Sequence, residues 1–229
     1  MLADTLLFKG KRRILVKELA TKAIFSEAVL QAMLRVPRHY FLPGLESLAY
    51  INEAKSIGRN QTISHPETVA LQSTLLDVKP GEKILEIGTG SGYQAAILAE
   101  LGAQVYTIER IDELYEQSKQ ILYKLGYQNK ITLKAGDGYQ GWESFQPFDK
   151  VIVTAAAPEL LQKPATQLKI GGWMVIPMKW TNDSTPLQKL YIVKRINKVD
   201  FEVTEQGKAR FVDMLKGTEE EKWPEVRLD

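Results

Sequence analysis

From Lys79-Pro80-Gly81 onward, short apolar runs alternate with amphipathic stretches, and few architectures other than a parallel sheet accommodate that order. Ile84 to Ile87, Val105 to Ile108, Ile131 to Leu133, Val151 to Val153 and Trp173 to Ile176 read as strands. Tyr93 to Leu101, Asp112 to Leu125 and Glu159 to Leu168 read as helices between them. Right-handed crossovers then give a doubly wound α/β sheet with helices on both faces. Leu187 to Lys194 and Phe201 to Val212 are longer, join through a polar turn near Asn197, and suit an antiparallel pair closing the edge. The expected sheet is seven-stranded and mostly parallel.

The preceding residues are helical in texture. Between Lys11 and Arg35 the apolar positions predict two amphipathic helices, with Ser26-Glu27 opening the second. Pro37 and Pro43 bracket an aromatic turn segment. Ser64-His65-Pro66-Glu67 opens a third helix, in which Ser64 and Glu67 have capping-box spacing. The expected organisation is one domain over 1–229: a helical, cleft-forming region 1–79, a ligand-binding core 80–178, and C-terminal strands and tail 179–229. The acidic stretch Glu219 to Glu221 reads as a solvated tail.

Composition excludes several chemistries. With 30 Lys+Arg against 28 Asp+Glu and a pI near 8.6, the chain lacks the excess of a protein that binds nucleic acid by charge alone. Zero cysteines remove disulfides, thiolate metal sites and thiol catalysis. With two histidines and no carboxylates clustered at ligand spacing, no metal is expected. No apolar run reaches transmembrane length and the amino end lacks signal-peptide order, so a cytoplasmic protein without membrane contact is expected.

The chemical signal is Glu86-Ile87-Gly88-Thr89-Gly90-Ser91-Gly92-Tyr93, directly after a buried strand and opening a helix, where ligands of open α/β sheets bind. The dinucleotide fingerprint places its third glycine where Tyr93 stands, so the spacing is off by one. Glu86 sets an acid beside the loop, which would repel a pyrophosphate but favour a cation. S-adenosyl-L-methionine carries both a sulfonium and an ammonium. Glu109, after the second strand, stands where an acid accepts hydrogen bonds from ribose hydroxyls, a feature shared by both cofactor types.

These residues carry a family resemblance. EIGTGSGYQAAIL (Glu86 to Leu98), Glu109-Arg110, Gly136-Asp137-Gly138 and FDKVIVTAAAP (Phe148 to Pro158) resemble the ordered motifs of protein-L-isoaspartate O-methyltransferases. So do VPRHYFLP and IGRNQTISHPETVA upstream and QLKIGGWMVIP downstream, covering about Val36 to Pro177. Met178-Lys179-Trp180 and Asp213-Met214 depart from the usual pattern. The resemblance implies a class I, Rossmann-like methyltransferase fold with an N-terminal helical extension, and methyl transfer from S-adenosyl-L-methionine to the α-carboxylate of L-isoaspartyl residues in damaged peptides and proteins. It implies cofactor binding by Ile57, Gln61, Glu86, Ile87, Gly88, Gly90, Glu109, Asp137 and Gly138, and substrate binding by Gly58, Arg59, Asn60, Thr62 and Val212. Ser64 would be the active-site serine; its other reading is a helix cap.

Asp137-Gly138 reads either as an adenine contact or as an ordinary turn. Trp142, Phe145 and Phe148 read as packing aromatics with adenine contact as the alternative; His39 and His65 read as structural, with His65 near the site. Small residues at Thr154 to Ala157 suit close approach by a ligand backbone or tight helix packing. An extended substrate would lie between the IGRNQ stretch and Arg210-Phe211-Val212. A carboxylate nucleophile is ionised at neutral pH, so no general base is needed. A monomer is expected. The rival readings are a methyltransferase of the same fold with another acceptor, a nicotinamide-dependent oxidoreductase, and a binding protein without catalysis.

Overall fold

A computed structural model describes residues 3–179 and 188–219. Helix α1 (Leu6–Ala20) starts earlier than its apolar spacing suggests, because Thr5 caps it by accepting from the Phe8 N–H. In α2 (Glu27–Arg35) the Ser26 hydroxyl accepts from the Val29 N–H, as its position before an apolar run predicts. A short 3-10 turn, Arg38–Phe41, leads into the antiparallel hairpin β1 (Lys55–Gly58) and β2 (Gln61–Ile63), which no periodicity signals. Helix α3 (Pro66–Leu76) follows.

The capping box expected from Ser64 is not made. The residue before α3 is His65, and no side chain of its own turn caps it. Asn52 does so from a distant loop: its Oδ1 accepts the Glu67 N–H at 3.0 Å, while its Nδ2 donates to Glu67 Oε2 at 3.0 Å. The reciprocity is that of a capping box, but the partner comes from elsewhere in the chain.

The main sheet follows the expected alternation: β3 (Lys83–Ile87), α4 (Tyr93–Glu100), β4 (Gln104–Glu109), α5 (Asp112–Lys124), β5 (Ile131–Ala135), β6 (Phe148–Val153), α6 (Gln162–Thr166), β7 (Leu168–Met178), β8 (Gln188–Arg195) and β9 (Phe201–Ala209). Strand order is β5-β4-β3-β6-β7-β8-β9, parallel through β7 and antiparallel for β8 and β9. Helix α6 is far shorter than the 159–168 reading, and β9 ends at Ala209 rather than at residue 212. Trp180, Leu187 and residues 220–222, on which parts of the sequence reading fell, lie outside the described residues.

Both faces of the sheet are covered. Ile84, Val105, Ile152 and Val175 lie on the face covered by α3 and α4, against which α2 packs in turn, while Leu85, Ile87, Val151, Val153, Met174 and Ile176 form the opposite layer. This period-2 division makes the central strands apolar on both sides. It also fixes where a ligand can go. The chain leaves β3 toward β4 on one side and returns to β6 on the other, so a crevice opens at the carboxyl ends of these strands.

Candidate active site

A cleft of about 890 Å³, counted to its open mouth, occupies that crevice. Its walls are built by Gln61 to Ser64 with Val69 and Gln72, by the β3 and β4 ends with their loops, by Gly138, by Thr154 and Ala155 after β6, and by Val212 to Leu215. Its size and mixed lining suit a ligand the size of a nucleoside conjugate.

The glycine loop turns beneath it. At Gly88 the backbone has φ +94°, and a Cβ there would stand 2.4 Å from Thr154 Oγ1, so only glycine fits. The Thr154 hydroxyl donates to Gly88 O at 2.6 Å, fastening the loop to the end of β6. Gly138 tolerates no side chain either, since its Cβ would stand 2.4 Å from Ile87 Cγ2.

Glu109 ties the loop to the end of β4. Its Oε2 accepts the Gly90 N–H at 2.8 Å and its Oε1 accepts the Ile111 N–H at 3.0 Å, with the residue 4% exposed. Burial pushes this carboxyl above the ordinary range, against the backbone N–H bonds that favour its charge. Each oxygen keeps a lone pair for a ligand hydroxyl.

Glu86 is placed differently from the sequence reading. It does not line the cleft; it is fully buried below the loop, and burial pushes its carboxyl up to about 8. Thr107 bridges it to the cleft: Thr107 Oγ1 bonds Glu86 Oε2 at 2.5 Å and Thr89 Oγ1 at 2.6 Å, and Thr89 lines the cleft. Glu86 Oε1 is buried without a partner, as is Gln94 Oε1 nearby on α4. With its carboxyl raised to about 8 the acid is uncharged in the free protein at neutral pH, and a cationic ligand in the neighbouring cleft would favour its ionised form.

Of the other residues singled out, Gln61, Thr62, Ser64, Ile87, Gly88, Gly90, Gly138 and Val212 meet at the cleft. Ile57 and Gly58 line a neighbouring hollow that shares Gly90 and Ser91 with it. Arg59 and Asn60 form the hairpin tip, both with positive φ, and Arg59 pairs with Glu113 on α5. Asp137 is not among the lining residues and accepts the Tyr139 N–H at 3.0 Å, whereas Gly138 beside it lines the cleft. Trp142 and Phe145 cluster on Tyr106, with Phe148 at its edge, and none of the three lines the cleft. His39 is buried and stacked on Phe8 at 4.0 Å.

The far wall was not legible beforehand. Ala156 N–H donates to Val212 O at 2.7 Å and Met214 N–H to Ala156 O at 2.8 Å, while Ala157 pairs with Pro177 and Lys179. The small residues after Thr154 therefore admit the protein's own backbone on both sides. Lys179 Nζ lies 2.6 Å from Asp213 Oδ1, joining the two segments that depart from the resemblance. Further on, Arg110 holds Gly217 O and Glu219 Oε2 at 3.1 Å each, and Glu219 N–H donates to Arg110 O. Glu219 is thus bridged to the loop after β4 rather than being free tail.

A doubly wound sheet with this glycine loop, and an acid anchored at the end of the second strand, defines a class I methyltransferase fold. The protein-L-isoaspartate(D-aspartate) O-methyltransferase family matches residues 10–219, and the chain belongs to it. A protein-L-isoaspartate O-methyltransferase of Christiangramia forsetii is 48% identical over 93% of this chain and 98% of its own length. One of Dictyoglomus turgidum is 50% identical over 92% and 93%. A solved structure from Plasmodium falciparum, in complex with S-adenosyl-L-homocysteine, superposes with a TM-score of 0.79 over 90% of this chain and 98% of that one, at 24% identity, a likeness of fold. Among the described residues no cluster of His, Asp or Glu could hold a metal ion, and no helix is long and apolar enough to cross a membrane.

Proposed function

We propose that the chain methylates the free α-carboxylate of L-isoaspartyl residues in damaged peptides and proteins, using S-adenosyl-L-methionine, and so starts their repair through a succinimide. The observation that carries this reading is the cleft itself: Glu109 locked against the glycine loop on one wall, and the hydroxyl-bearing segment Thr62 to Ser64 on the other. The cofactor supplies a methyl group already activated by a sulfonium. What remains for the chain is binding, alignment and exclusion of water, and alignment alone is worth roughly 7–11 kcal/mol.

Each residue then has a task at a stated atom. The Glu109 oxygens, held by two backbone N–H groups, accept the ribose hydroxyls. Ile87, Ile108, Ile111 and Met214 give apolar cover for a base. Ser64 lines the cleft, and its hydroxyl is not spent on capping α3, which leaves its O–H to orient the substrate carboxylate. The carboxylate attacks in its ionised form, so no side chain has to take a proton.

The test uses labelled S-adenosyl-L-methionine and paired peptides that differ only in Asp or isoAsp. Base-labile label on the isoaspartyl peptide alone is expected. Ser64→Ala should bind cofactor normally and turn over about 10- to 100-fold more slowly, the size of one lost hydrogen bond to a charged group. Equal labelling of both peptides, or an unchanged rate in the variant, would overturn the substrate and the serine role respectively.

A further inference from the structure

Arg38 is 1% exposed, and it is not among the residues lining the cleft. Its Nε donates to Ala49 O at 2.9 Å and its Nη2 donates to Ser64 O at 2.7 Å. The guanidinium carbon sits 4.7 Å from the centre of the Tyr93 ring, and Nη1 is buried with no hydrogen-bond partner. Among the described residues its partners are carbonyls and an aromatic face, not a carboxylate. Burial lowers its pKa to about 10, so the group is still charged at neutral pH.

Burying a cation without a counter-ion is costly, and neutral side chains can hold two loops together without that cost. The position of its contacts gives the charge a use. Ser64 is the cleft serine. Tyr93 opens α4 immediately after the glycine loop and lines the same cleft. Phe41, from the same 3-10 turn as Arg38, packs edge-on to Tyr93 at 5.5 Å. One rigid turn therefore holds both the substrate-facing serine and the helix that begins at the cofactor loop. Charge-assisted donors to carbonyls are shorter and stronger than neutral ones, and the planar fork reaches both carbonyls while its carbon stays 4.7 Å from the Tyr93 ring centre.

We propose that Arg38 is a positioning residue for methyl transfer: it fixes the Ser64 backbone against Tyr93 and so sets the distance between the serine hydroxyl and the cofactor loop. This rests on the reading of Ser64 above. Lysine keeps the charge but has a single nitrogen, and it cannot reproduce a planar fork that bonds the two carbonyls through two different nitrogens.

The experiment is a double-mutant cycle in kcat on an isoaspartyl peptide, with Kd for S-adenosyl-L-homocysteine measured by calorimetry on each protein. In the wild-type background Arg38→Lys should lower kcat about tenfold and leave that Kd within about twofold. In the Ser64→Ala background the same substitution should cost less than about twofold, because the group it positions is gone. An equal loss in both backgrounds, no loss in the wild-type background, or a parallel loss of cofactor affinity would overturn the proposal. Arg38→Gln is the second variant, and if neither folds by circular dichroism at 25 °C the role is structural and the proposal falls. Full turnover in Ser64→Ala itself would instead sink the reading on which it rests.

Discussion

The buried carboxyl of Glu86 links chemistry to stability. Burial raises its pKa from 4.5 to about 8, so the native state holds a proton that the unfolded chain releases between those values. Its contribution to stability is full below about 4.5 and is lost as pH rises through 8, at up to about 1.4 kcal/mol per unit. Urea unfolding of the free protein from pH 5 to 9 should therefore show that fall, and Glu86→Gln should flatten it; parallel curves would refute the assignment. The ligand has the opposite preference. A cationic cofactor favours the ionised acid, so the affinity ratio of S-adenosyl-L-methionine to its uncharged-sulfur product should rise from pH 6 to 8 and lose that dependence in Glu86→Gln. A ratio independent of pH in the wild type would mean that the Thr107 and Thr89 hydroxyls screen the acid from the cleft. The sequence made Glu86 visible but not its burial, because a carboxylate at the end of a strand looks the same whether it points into a cleft or under one.

At the scale of elements, periodic segments were legible and segments held by single bridges were not. Strands β3, β4, β6 and β7 announce themselves because apolar residues fall on both faces, while β5 shows only one apolar face through Ile131 and Leu133. The β1–β2 hairpin gives no such sign: it is short, half exposed, and turns through Arg59 and Asn60, both in left-handed conformations usually left to glycine. The strap from 210 to 219 has no period at all. It is held by bridges at Ala156 and Ile111, so its position depends on residues far away in sequence. Arg110 is one of the strap's side-chain anchors, bonding Gly217 and Glu219 from the cleft lining. Arg110→Ala should weaken S-adenosyl-L-homocysteine binding about 3- to 10-fold, mostly through faster release, and speed proteolysis after residue 210. Wild-type dissociation rates in the variant would show that the strap stays closed without the arginine.

The whole molecule matters because the cleft exists only when stretches around residues 61–72, 87–111, 138, 154–155 and 212–215 are brought together. Balanced charge and absent cysteine are then less an exclusion than a fit. The cofactor brings its own activation and the substrate its own negative charge, so neither a basic field nor a reactive thiol is required. What no local pattern could give was the closing wall, since the paired Lys179 and Asp213 lie on segments distant in sequence that Ala157 and Ala156 hold by backbone bridges. A ligand that binds only the assembled cleft stabilises the native state by mass action, by about 2.7 kcal/mol at a concentration 100-fold above its Kd. For a chain of this length that corresponds to a rise of about 5–10 °C in Tm. S-adenosyl-L-homocysteine at that concentration should produce this shift in the full chain. A chain ending at Ala209 lacks one wall and should lose most of it while keeping the parallel sheet, read as an unchanged far-ultraviolet spectrum. An undiminished shift in the shortened chain would show that the 212–215 wall contributes nothing to holding the cofactor.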